Sequence, residues 1–149
     1  MKVSLRSTYG IMAAVDLAMQ TGAAPIQAKS IARRQGIPAR FLEQVLHAMK
    51  KAGLVSSQRG AQGGYVLSKK PSDLSVAEIL EALDGPFLSV AGLNGQNSLR
   101  RGAKADLLLA NVWDRVYAAE RHVLEAITVE ELAEQQRDLE QQRSLMYHI

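Results

Sequence analysis

IQAKSIARRQGIPARFLEQVLHAMKKAGLVSSQRGAQGGYVL, residues Ile26 to Leu67, carries more structural information than any other part of the chain. Around Gln35-Gly36-Ile37-Pro38 it predicts two short helices joined by a tight turn. In the first, over about Gln27 to Gln35, Ile31 and Ala32 face inward while Lys29, Arg33 and Arg34 stay in solvent. Ala32 is small enough to let the following helix cross closely, and Gly36 supplies the positive backbone angle that such a turn requires. Pro38 suits the first turn of the next helix, where a missing N–H costs nothing. There Phe41, Leu42, Val45, Leu46 and Met49 form one apolar stripe, and Arg40, Glu43, Gln44, His47, Lys50 and Lys51 form the opposite face. Gly53 closes this helix, and Leu54–Gln58 and Gly64–Leu67 read as short strands joined by a glycine-rich tip. That succession is a helix-turn-helix running into a two-stranded wing, a unit shaped to lie against DNA.

Working outward, about Leu5 to Gln20 reads as a helix with Leu5, Tyr9, Met12, Ala13, Asp16, Leu17 and Gln20 at helical spacing, stopped by Gly22 and Pro25. Behind the wing, Ser75-Val-Ala-Glu78 is a capping-box signature opening a helix with Val76, Ile79, Leu80 and Leu83 inward, ended by Asp84-Gly-Pro86. Residues 87–102 read as a loop. From about Ala103 to Ile127 a long helix carries Leu109, Trp113, Val116, Tyr117, Val123, Leu124 and Ile127 along one side, wider than one small domain covers. This is the expected homodimer seam. Thr128-Val-Glu-Glu131 is a second capping box, starting a polar helix to about Gln142. The partition is therefore a DNA-binding unit over 1–85, a loop over 86–102, and a dimerisation helix plus C-terminal helix over 103–149.

Charge follows the same division. Residues 1–70 hold 11 Lys/Arg against 2 Asp/Glu, whereas residues 71–149 hold 7 against 13, so the overall +3 conceals a basic front and an acidic rear. Aromatic content of 5% disfavours a stacking platform for single strands. No apolar run approaches the ~20 residues of a membrane span, and no secretory signal opens the chain, so a cytoplasmic protein is expected. With no cysteine there are no disulfides and no thiolates for zinc or iron–sulfur sites. His47, His122 and His148 lack metal-ligand spacing, and no serine elbow is present; neither an enzyme nor a metal or cofactor site is expected.

The third helix is the expected base reader. Arg bonds guanine, Gln bonds adenine, and Glu accepts from the cytosine amino group. Ala39, Arg40, Glu43 and Gln44 lie toward the helix N-terminus, while Lys50, Lys51 and, from the preceding helix, Lys29 suit phosphates. In the wing, Ser57, Arg59, Gly60, Gln62, Gly63 and Gly64 combine one long cation with a narrow backbone, suited to the minor groove. A phosphate cradle is the alternative for this loop, but it needs a helix N-terminus directly after it, and Tyr65-Val-Leu67 is strand-like. A winged helix used as a protein-interaction module that regulates a partner enzyme stays open as a different kind of function.

Tyr9, Ile31–Ile37, Phe41–Gln44, Lys51–Ser57 and Arg59–Tyr65 together resemble the IscR/NsrR/CymR-type winged-helix regulators, also called the Rrf family. The resemblance is strong over about residues 1–85 and weaker through the long helix to Leu132. It implies a bacterial homodimeric transcription regulator, usually a repressor, on a palindromic operator of double-stranded DNA. It also implies Glu43 and Gln44 in the major groove and Arg59 in the minor groove. Cluster-binding members carry cysteines in the loop before the long helix. Here Asp84–Gly102 holds Gly92, Asn94, Gly95, Asn97 and Ser98 and no thiol, so the chain resembles the members without an iron–sulfur cluster, whose signal is a partner protein, a small ligand or something unknown.

Overall fold

Ser4 sets the start of the first helix, α1 (Leu5–Met19): its hydroxyl accepts from the Ser7 N–H, satisfying one of the free donors of the first turn. In the computed structural model, residues 2–20, 22, 24–86 and 103–148 are described. After α1 come α2 (Ala28–Gln35), α3 (Ala39–Lys51), strands β1 (Val55–Gln58) and β2 (Gly64–Leu67), a 3-10 turn (Pro71–Asp73), α4 (Val76–Asp84), α5 (Ala103–Ala126) and α6 (Val129–Tyr147). The architecture is mainly α-helical with a small β-wing, the winged helix-turn-helix expected from the sequence. The loop reading of residues 87–102 lies outside the described residues.

Helix α1 is the central pillar, with α2, α3, α4 and α6 packed around it. Ala13 and Ala14 are fully buried, and Ile31, Leu42, Leu46, Met49, Leu74 and Ile79 fill the space between the helices. The core also takes in Val129 and Ala133 of α6, so the segment assigned to dimerisation contributes to the interior of the winged unit. Two backbone hydrogen bonds hold this joint: Val76 N–H donates to Ile127 at 2.9 Å, and Val129 N–H donates to Leu74 at 2.8 Å. Helix α6 runs five residues past the expected Gln142, to Tyr147. Its polar, unbranched side chains favour helix without needing burial.

Asp16 is the charged member of the inward side of α1. It interrupts the apolar run of α1 in sequence, yet it is only 2% exposed. Arg34 donates to its carboxylate from Nε at 3.0 Å and from a terminal nitrogen at 2.7 Å, and Gln35 donates at 3.0 Å. Arg34, expected in solvent, thus tethers α2 to α1. Phe41 is a second correction. It lies at the margin of the α3 stripe and stays 40% exposed, with its ring edge-on to Tyr9 at a centroid distance of 5.6 Å.

Candidate nucleic-acid interface

The turn between α2 and α3 fixes how the reading helix is presented. Gly36 takes φ +66, and Ile37 N–H returns to the Ala32 carbonyl at 2.9 Å, closing α2 while its side chain enters the core. Pro38 sits at the N-cap of α3, one residue ahead of the first turn. Leu42, Val45, Leu46 and Met49 are buried against the other helices. The same rotation leaves Ala39, Arg40, Glu43, Gln44, His47, Lys50 and Lys51 exposed. Among the described residues no carboxylate lies within ion-pairing distance of Lys29, Arg40, Lys50, Lys51 or Arg59; the ion pairs are Arg34–Asp16, Lys69–Glu78, Arg121–Glu81 and Arg121–Glu125. Among the described residues, then, no carboxylate neutralises their charge.

The wing is an antiparallel hairpin with Val55 opposite Leu67, Ser56 opposite Val66, Ser57 opposite Tyr65 and Gln58 opposite Gly64. Arg59, Gly60, Ala61 and Gln62 form its exposed tip, and Ser57 is half-buried at its base. Gly63 is buried, and Gly64 presses on the protein's own backbone. A Cβ at Gly64, where φ is +149, would lie 2.4 Å from the Ile26 carbonyl. That closeness admits a pair of hydrogen bonds between Ile26 and Tyr65, at 2.9 and 2.8 Å, adding a one-residue third strand to the wing. Gln27 extends the tether by donating to the Ala61 carbonyl at 3.4 Å. The wing tip is thus held by the residues that open α2. Its signal in the sequence is Ile26 standing alone between Pro25 and a polar helix start; a single residue is too short for a strand pattern.

Helix α5 contrasts with this unit. Its inner end is fastened to α4 by Arg121, which donates to Glu81, to Glu125 at 2.6 Å and to the Tyr117 hydroxyl at 3.2 Å. Those hydrogen bonds, with Tyr117 and Glu125 foremost, hold the guanidinium pKa above its ordinary value. The apolar side is bare. Leu109, Trp113, Val116 and Val123 are exposed, as are Leu107, Leu108 and Val112, which the single-face reading did not single out. Tyr117, Leu124 and Ile127 are half-buried.

A family model described as "Rrf2: Iron-dependent Transcriptional regulator" matches residues 3–135. The chain belongs to the Rrf2 family. It is similar to the HTH-type transcriptional regulator CymR of Bacillus subtilis, with 34% identity over 147 residues and 99% of each chain covered. The solved structure of CymR (YrzC), the global cysteine regulator of B. subtilis, matches with a TM-score of 0.72, covering 90% of this chain and 97% of that one. T. potens IscR matches with a TM-score of 0.69 at 35% identity, covering 91% and 88%. This Rrf2-family protein is a winged helix-turn-helix transcription regulator that binds DNA, and not an enzyme.

The family description names iron, and the donor set of this chain does not fit it. The sequence offers no thiolate, and among the described residues no three His, Asp or Glu side chains converge as metal ligands. Iron–sulfur clusters are held by cysteine thiolates, of which histidine replaces only some, and this sequence has no cysteine. Among the described residues no helix is long and apolar enough to cross a membrane.

Proposed function

We propose that the protein is a homodimeric repressor of a palindromic operator, acting in the cytoplasm without a metal cofactor. Helix α3 enters the major groove, where Arg40, Glu43 and Gln44 meet base edges and Ala39 allows close approach. Lys29, Lys50 and Lys51 bind phosphates. The wing enters the adjacent minor groove through Arg59, with Ser57, Gly60, Gln62, Gly63 and Gly64 shaping the ribbon that carries it. In this reading residues 1–85 form the DNA-binding unit. A second copy covers Leu109, Trp113, Val116, Tyr117, Val123, Leu124 and Ile127, placing two α3 helices about 34 Å apart on one face of the duplex.

The observation that carries this reading is the division of α3 into a buried apolar side and an exposed side whose cations have no partner among the described residues. Selection of fragments from the source genome, followed by affinity measurement across salt, tests it. With about six phosphates neutralised, affinity falls roughly 10³-fold between ~50 and ~200 mM salt through counterion release. Affinity that stays flat over that range places the binding surface elsewhere. Glu43→Ala should change which operators are accepted, whereas Arg59→Ala should weaken all of them.

A further inference from the structure

We propose that His47 is a specificity-determining residue, donating from its imidazole to a guanine edge in the major groove one or two base pairs beyond the one met by Glu43. The inference rests on α3 being the major-groove helix. His47 follows Glu43 by four residues and Gln44 by three, so all three lie on one side of the helix. Together with Arg40 they line a single shallow concavity of about 410 Å³ on the outer face of α3. The imidazole is exposed and has no hydrogen-bond partner in the chain among the described residues. It lies on the face opposite Leu42, Val45, Leu46 and Met49, so core packing does not account for it.

Spacing and charge narrow what it meets. One helical turn advances about 5.4 Å, against about 3.4 Å per base pair along the duplex. The step from Glu43 to His47 therefore reaches one or two base pairs further, just before Lys50 and Lys51 take over at the end of α3. A phosphate in this concavity would sit beside the Glu43 carboxylate and be repelled by it. A base edge satisfies both groups: cytosine N4 donates to the carboxylate, and a neighbouring guanine presents N7 and O6 as adjacent acceptors for the imidazole N–H. Adenine offers N7 next to a donor, so guanine is the better match.

Full-length wild type, His47→Ala and His47→Arg are each used to select from random double-stranded DNA. Their affinities are then measured on the wild-type consensus with 7-deazaguanine replacing each guanine in turn. Because the side chain is exposed, all three should melt alike. The expected result is a guanine preference at one position per half-site that His47→Ala loses and His47→Arg keeps. Removing that guanine's N7 should weaken wild type about tenfold and leave His47→Ala unchanged. A clear wild-type motif that His47→Ala reproduces at every position overturns the role of His47 alone. A loss spread evenly over all sequences with a shallower salt slope makes it a phosphate contact and overturns it equally. A wild type that enriches no sequence overturns both this inference and the major-groove reading beneath it.

Discussion

The winged unit and helix α5 are both rich in apolar side chains, yet they treat them in opposite ways. In the winged unit each helix hides its stripe: Ile31, Leu42, Leu46, Met49, Leu74 and Ile79 are almost fully out of water. In α5, Trp113 is 44% exposed and Leu108 71% exposed, although the helix is fastened at its inner end by Arg121. A domain that closes its own core has polar groups left over for a ligand. A helix that leaves isoleucine-sized surface in water has a partner left over. On the proposed reading the first region meets DNA and the second meets another copy of the chain. Apolar burial near ~25 cal/mol per Å² is the force available to hold it.

The sharpest way to break this contrast is to place a charge in the bare face. Val116→Glu should leave the melting of the winged core unchanged, because Val116 contributes nothing to it, while converting the protein to a monomer in sedimentation. Operator affinity should fall on the order of 10³-fold, the avidity lost when two linked sites become one. A variant that stays dimeric, or a monomer that binds the full operator as tightly as before, removes α5 from the recognition scheme.

Inside the covered unit, the Asp16–Arg34 pair separates burial from pairing. Arg34→Ala strands a carboxylate that is 2% exposed with Gln35 as its remaining donor, at a cost of about 3 kcal/mol. Asp16→Ala leaves a guanidinium on a side chain that is 41% exposed and free to take water, so it should cost less, about 1 kcal/mol. Paired denaturant titrations read this asymmetry directly. Equal costs would mean that Asp16 is more hydrated than its position indicates.

This pair also marks how far the sequence could be read. Periodicity gave the extents of α1 to α4 to within a residue or two: α2, α3 and α4 are two-faced, α1 is the apolar pillar between them, and stops such as Gly36 or Gly53 mark the ends. Glu43 and Gln44 stood out by the same pattern, lying on the polar face opposite the apolar stripe of α3. What periodicity misses is the partner of a side chain that breaks it. Asp16 sits at an inward position of α1, and only the fold shows that Arg34, 18 residues on, comes to meet it. Phe41 at a stripe margin and Ile26 as a single-residue strand fail similarly, since each is settled by one tertiary neighbour, Tyr9 or Tyr65.

Two glycines sharpen the difference between a turn and a contact. Gly36 has φ +66 with nothing within 4 Å of an added Cβ, so Gly36→Ala carries only the left-handed backbone cost of about 1 kcal/mol. Gly64→Ala meets the Ile26 backbone at 2.4 Å as well, so it should cost about 2 kcal/mol and release the Ile26–Tyr65 hydrogen bonds. Amide exchange at Tyr65 should accelerate in the second variant and not in the first. Should both variants protect that amide equally, the wing is not anchored through Ile26.

The smallest effect concerns how tightly α4 is closed onto the covered unit, and it depends on pH. The capping box is complete: Ser75 accepts from the Glu78 N–H at 3.2 Å, and Glu78 accepts from the Ser75 N–H at 3.0 Å. Burial pushes the Glu78 carboxyl up, but the hydrogen bonds from Lys69 and Ser75 outweigh it and hold the group below its ordinary value of 4.5. A carboxyl depressed by folding contributes stability above its unfolded pKa and loses that contribution as pH falls through its folded value. Glu78→Gln should therefore lower stability by up to ~1 kcal/mol at pH 7, the scale of a lost cap. The gap to wild type should close as the buffer is acidified through the depressed folded value, where the wild-type carboxyl is itself protonated. Asp84, likewise pushed up by burial and held below its ordinary value by hydrogen bonds from Ser4, adds to the acid sensitivity of both proteins equally and cancels in the comparison. A gap that persists unchanged into acid would assign the cost to the shape of the side chain rather than its charge. The Lys69–Glu78 pair would then be a surface contact with no part in closing the unit.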